Sequence, residues 1–197
     1  MRRSAGDAGQ ALPLFIWVTG IVLFAAFAFF AFAQGAVARN GAQTAADAAA
    51  LAAANDTREE LAEGLVRAVE EGEEWLDWLE GRGALGGTAR SEAARLAGAN
   101  SATVSGFGVE ETNGWPGYRV SVEMNDSVGD SIIPGTEGMY AKAVAVSVVE
   151  PLCEVLADDS NISFRCSNGG EYEFDADDMS FDDLPDLADM YSVHLVK

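Results

Sequence analysis

From Ala8 to Ala38 the chain carries no charged residue, and Ala11 to Ala33 is a run of 23 residues in which Thr19 is the one polar side chain. About 20 apolar residues in helical form cross the roughly 30 Å hydrocarbon core of a bilayer. A buried core helix of six turns ordinarily keeps a polar face, and this one has none. The pattern therefore predicts a membrane-inserted helix, anchored by Leu12, Pro13, Phe15, Trp17, Phe24, Phe27 and Phe30. Ala36 to Ala54 follows as an alanine-rich helix of high propensity. On it Ala42, Ala46, Ala49 and Ala53 form a smooth stripe that another helix could approach closely; equally, the helix could simply carry the anchor outward as a stalk.

The pattern then changes. Asn55 to Glu60 reads as a helix restart, with Thr57 and Glu60 spaced as a capping box. Beyond it Leu61, Leu65, Val69, Gly72, Leu76 and Leu79 recur every three or four residues, with Glu63, Arg67, Glu70, Glu71, Glu74 and Asp77 between them. That is an amphipathic surface helix, best accounted for by packing on this protein's own sheet. Trp75 and Trp78 widen its apolar stripe before Gly81, Gly83, Gly86 and Gly87 end it. A short helix from Ala89 to Ala97, with Ala93, Leu96 and Ala97 inward, completes the helical part.

From Ser101 the period becomes two. Val104–Val109 and Arg119–Met124 flank the turn-rich Asn113–Gly117 and read as a hairpin. Tyr140 to Val149 is the strongest strand, with Tyr140, Val144, Val146 and Val148 on one face. Ala141, Ala143, Ala145 and Ser147 make a small-residue face on which a helix can lie close. Ile162–Cys166 and Glu171–Phe174 flank Asn168-Gly169, a second hairpin signal, and Tyr191, Val193 and Leu195 alternate in a terminal strand. Helices followed by consecutive strands imply an α+β protein with a mostly antiparallel sheet.

Composition sharpens this picture. The 197 residues hold 12 Lys+Arg against 32 Asp+Glu, a formal charge of −20. Leaving out Arg2, Arg3, Asp7 and Arg39, the part from Asn40 onward has 9 basic and 31 acidic residues, or −22. Such a charge disfavours nucleic acid as a partner and holds the domain off an anionic membrane surface. Arg2, Arg3 and the α-amino group precede the apolar run, and Arg39 alone follows closely, so the positive-inside rule predicts a cytoplasmic N-terminus and an extracytoplasmic C-terminal domain. A cleaved signal peptide competes, because Ala31-Phe32-Ala33 fits an A-x-A site. Signal h-regions, however, run only about 7–15 residues, which favours an uncleaved anchor. A type IV prepilin leader fits poorly, since the Glu expected five residues past the cleaved Gly is Leu14 after Gly9 and Ala11 after Gly6.

Candidate chemistry is sparse. Cys153 and Cys166 are the only cysteines, and on the external side they are expected to form a structural disulfide. The acidic run from Asp175 through Asp177, Asp178, Asp182, Asp183 and Asp186 to Asp189 departs from an EF-hand loop at its fifth, sixth and twelfth positions, and a solvated acidic loop is the simpler reading. His194 is out of phase with Tyr191, Val193 and Leu195 and is expected to face solvent. No Ser or Cys has a nucleophile motif and no glycine loop could cradle phosphate, so neither catalysis, a cofactor nor a small-molecule substrate is expected.

Two stretches resemble a known family. Asp7-Ala8-Gly9-Gln10-Ala11-Leu12-Pro13-Leu14-Phe15 and Asn40 to Ala54, which bracket the anchor, resemble the N-terminal region of the Flp pilus-assembly TadE/TadG-like family. Val128 to Glu137 with Ala141 to Cys153 is similar to a TadG-related subset from high-GC Gram-positive bacteria. Some larger TadG proteins add a von Willebrand A domain with a D-x-S-x-S metal motif; here Asp158-Asp159-Ser160-Asn161-Ile162 fails at its last position. The resemblance implies a non-catalytic, pilin-like membrane component whose partners are the lipid bilayer and other pilus-assembly proteins or pilins. The expected organisation is a cytoplasmic N-terminus (1–10), the anchor (11–34), a helical stalk with amphipathic helices (35–100) and a β-rich domain (101–197). The rival class is a membrane-tethered sensor that binds cations or a basic partner.

Overall fold

The computed structural model describes residues 11–83, 87–127, 138–157, 161–175 and 180–196. The Asp7–Gln10 start, Gly86, the Val128–Glu137 stretch, Asp158–Ser160 and the Ala176–Met179 part of the acidic run lie outside them. The first element, α1, is one uninterrupted helix from Ala11 to Glu71. At about 1.5 Å per residue its 61 residues extend about 90 Å. Short helices α2 (Leu76–Leu79) and α3 (Ala89–Ala99) follow, then, among the described residues, seven strands: β1 (Ala102–Val109), β2 (Gly117–Ser127), β3 (Tyr140–Pro151), β4 (Cys153–Ala157), β5 (Asn161–Cys166), β6 (Glu171–Asp175) and β7 (Tyr191–Val196). A one-turn helix α4 (Leu187–Met190) leads into β7. The fold class is α+β, as the order of periods implied.

Among the described residues every strand pairing is antiparallel, but the strands divide into two sheets where the sequence suggested one: β1-β2-β3-β7 and β4-β5-β6. The chain passes from β3 to β4 through Leu152 alone. Strand β4 has no clear two-residue alternation in its sequence, Cys-Glu-Val-Leu-Ala, and was not foreseen.

The expected restart at Asn55–Glu60 does not interrupt α1. Its polar groups are satisfied without ending the helix: Asn55 Nδ2 donates to the Leu51 carbonyl, and Thr57 turns its hydroxyl into the core. Glu60, the other half of the supposed capping box, accepts instead from Thr88 Oγ1 at 3.0 Å. The amphipathic helix also stops earlier than expected. Gly72 adopts φ +67°, the left-handed conformation that terminates helices, and Leu76–Leu79 forms a separate turn. Helix α3 buries Ala89, Ala93 and Ala97, while Leu96, expected inward, is only half-buried.

Two apolar clusters lie in series along α1. Ala45, Ala46, Ala49, Ala50 and Ala53 pack with the alanines of α3 and with Tyr118, Val120, Val122 and Ala145 of the four-stranded sheet. Further along, Leu61, Leu65, Val66 and Val69 pack with Leu79, Val149, Ile162, Phe164, Met190 and Tyr191. Trp78 closes the second cluster by lying on glycine. A Cβ at Gly64 would fall 2.1 Å from its ring, and one at Gly83 would fall 2.3 Å away. In an unobstructed helix, Gly→Ala stabilises by about 1 kcal/mol. Here Gly64→Ala should instead destabilise the protein by about 1–3 kcal/mol, because the indole must leave its seat. Thermal unfolding in detergent, followed by circular dichroism, checks the sign; a raised midpoint would contradict the packing.

Candidate functional site

The site candidates fall on α1 and on the Cys153–Cys166 pair. On the apolar half of the helix Leu12, Phe15, Trp17, Phe24, Phe27 and Phe30 are all exposed. None of the most hydrophobic window is buried, and this is the single described helix long and apolar enough to cross a membrane. Pro13 sits in the first turn, where its missing N–H costs no helical hydrogen bond. A water-exposed run of this length and apolarity would be strongly unfavourable, so its surroundings must be apolar.

The alanine half is the opposite. Ala42, Ala46, Ala49 and Ala53 have no accessible surface. Ala45, Ala50 and Ala54 are equally buried, so the packed face is wider than the four-residue stripe and is wedged between α3 and the sheet of the same chain. The small-residue face of β3 meets it. Ser147 is fully buried, and its Oγ donates to the Ala50 carbonyl at 2.7 Å.

A second buried polar contact lies seven residues along the helix. Thr57 Oγ1 and the Tyr118 hydroxyl are 2.6 Å apart. Burial raises the Tyr118 phenol above its ordinary pKa, with the Thr57 hydrogen bond acting in the opposite direction. Tyr191 makes a third tie, its hydroxyl donating to the Trp78 carbonyl at 3.0 Å, and burial raises its pKa strongly. None of these tethers was singled out from the sequence. The available signal was a lone polar residue, Ser147, on the small face of the most apolar strand.

Acidic groups gather where α1 meets α3. Thr88 Oγ1 donates to Asp56 Oδ2 at 2.8 Å as well as to Glu60. Asp56 is held above the ordinary carboxylate pKa, first by burial and then by repulsion from Glu60, Glu92 and Glu63, against the lowering effect of the Thr88 bond. Within the acidic run near the C-terminus, two carboxylates cap backbone: Asp183 bonds Ser180, and Asp186 accepts from the Ala188 N–H. Among the described residues no group of three or more His, Cys, Asp or Glu side chains converges as metal ligands would. His194 is half-buried, paired across the sheet with Val148.

Cys153 and Cys166 face each other across the β4–β5 ladder and form a disulfide, with their Cα atoms 3.9 Å apart. Both are buried in the second cluster. The bond therefore ties two strands of the small sheet, beneath which the end of α1 packs.

A long apolar helix, running unbroken into an antiparallel α+β domain, defines a helix-anchored class of protein. Residues 9–56 match the model of the TadE/G-like Flp pilus-assembly family. The match covers the apolar run and the alanine half of α1 and stops just short of Thr57. No curated protein and no solved structure matches the chain.

Two outcomes follow from this geometry. Ser147→Ala should lower stability by about 1 kcal/mol through the lost bond to α1. Ser147→Val should cost about 1–3 kcal/mol more, because its added methyl meets the helix backbone. Denaturant unfolding of the two variants side by side checks the order. Replacing both Cys153 and Cys166 by Ser should destabilise by about 3 kcal/mol, the loop-entropy value for a closure of this size. Calorimetry with and without reductant on the wild type provides the same comparison.

Proposed function

We propose that this protein is a membrane-anchored, non-catalytic, pilin-like component that assembles or anchors a Flp-type tight-adherence pilus. One observation carries the reading: the segment matching the pilus-assembly family coincides with the apolar run and with the alanine helix that seats the domain. In this reading residues 11–34 cross the bilayer, the N-terminus is cytoplasmic and the acidic domain stands outside. Arg2 and Arg3 support that orientation. The chain corresponds to a TadG-related form. Its partners are the lipid bilayer and other membrane proteins or pilins of the same apparatus.

Because the alanine face of α1 is occupied by the chain's own sheet and α3, contacts with other pilus proteins fall to the apolar run and to the outer surface of the domain. The high negative charge disfavours self-association through that surface.

Deleting the gene should reduce pilus number or length, together with surface adhesion, and restoring it in trans should return both. Normal pili and normal adhesion in the deletion strain would reject the proposal. In intact cells with a permeable wall, added protease should remove the C-terminal domain and leave an N-terminal tag protected.

A further inference from the structure

We infer that the rim of the four-stranded sheet formed by Met139 and Tyr140 sits in the lipid headgroup layer, so that the domain rests on the membrane rather than standing clear of it. The inference rests on the membrane-spanning reading of α1. Helix α1 is continuous from the apolar run into the domain, and the sheet is pinned to it at several points. These pins set a ruler along the helix axis.

Two routes along the ruler give the level of the rim. Met124 of β2 lies against Gly41, where an added Cβ would be 3.7 Å from the methionine Cε. Tyr118 of the same strand reaches Thr57, so β2 runs back along α1 toward its apolar end. Glu123 pairs with Lys142, and a register shift before Ser127 sets four residues of β2 against two of β3, so the remaining distance is counted on β3. Met124, next after Glu123, is then level with Ala141, one residue or about 3 Å from Tyr140, which places that tyrosine about two helical residues beyond Gly41, level with about residue 39. Independently, Ser147 of β3 bonds the carbonyl of Ala50. Tyr140 precedes Ser147 by seven residues, about 23 Å, which corresponds to about fifteen helical residues and places it level with about residue 35. The two routes bracket residues 35 to 39, the first turn of α1 beyond the apolar run and the depth of the headgroup layer.

The side chains at that level suit an interface. Met139 is 57% exposed and Tyr140 44%, although large apolar groups are otherwise mostly buried in this domain. Tyrosine, with an apolar ring and a polar tip, is a residue enriched where hydrocarbon meets water. Lys142 pairs with Glu123 at 2.7 Å, and Asp126 is the other described charge on these strands near the rim. A zwitterionic headgroup layer has no net charge, so the negative charge of the domain does not oppose contact with it.

The test uses the full chain in phosphatidylcholine nanodiscs carrying a gadolinium-chelate lipid, with 13C-methyl methionine observed by NMR. Met190 serves as the internal reference. It precedes Tyr191, which pairs with Pro151, eleven residues and about 35 Å along β3 from Tyr140. Met139→Leu assigns the resonance. The Met139 methyl should relax about tenfold faster, or more, than that of Met190. Equal relaxation of the two methyls in a chain that co-elutes with the disc would overturn the inference and leave the anchor intact. Failure of the chain to enter the disc would overturn both.

Discussion

How closely α1 can lie on the four-stranded sheet governs the rest of this structure. A helix with bulky side chains is held away from a sheet by them, and the intervening space must be filled. Here both faces are small: Ala45, Ala46, Ala49, Ala50 and Ala53 on the helix meet Ala145 and Ser147 on β3. The approach is close enough for a serine hydroxyl to reach a helical carbonyl. Each alanine removes little apolar area from water, so stability here comes from dense packing over a long contact rather than from a few large groups. The larger residues are displaced to the second cluster, where Trp78 fits because Gly64 and Gly83 leave room for its ring.

That close contact gives the helix its mechanical role. Because α1 does not break between the apolar run and Glu71, the orientation of one end fixes that of the other. The two hydroxyl tethers to the helix, Ser147 to Ala50 and Tyr118 to Thr57, are spread along the packed length and set register as well as distance, while Tyr191 ties β7 to Trp78 of α2. Buried hydrogen bonds of this kind discriminate against a slipped arrangement, since sliding the helix by one residue would leave the donors unpaired. The disulfide performs a related task at the far end by holding β4 and β5 together over the end of α1.

Charge contributes differently. The ion pairs described, among them Arg119–Glu110, Arg95–Glu92 and Lys142–Glu123, are all on the surface. Exposed pairs add little to stability. They engage five of the 12 Lys and Arg residues, and the carboxylates in excess leave the exterior predominantly negative. Asp56 shows the consequence locally, its pKa raised by burial and by the acidic neighbours around it.

The sequence by itself determined the apolar run, the α+β class, the strands with clean alternation and the pairing of its only two cysteines. Each of these depends on local periodicity or on count, and local signals survive without knowledge of the partner. It also marked the alanines of α1 and the small face of β3 as surfaces of close approach. Only the tertiary structure decided that the two surfaces face each other. The same is true of the continuity of α1 through Asn55–Glu60: the local code favoured a new helix start, but Tyr118 supplied a buried partner for Thr57, and Thr88 bonds Glu60 at the surface. The split into two sheets was equally hidden, because β4 takes its place from pairing with β5 rather than from its own pattern. A helix cap, a sheet edge and a buried hydroxyl are all defined by what lies across from them, and residues far apart in the chain supply it.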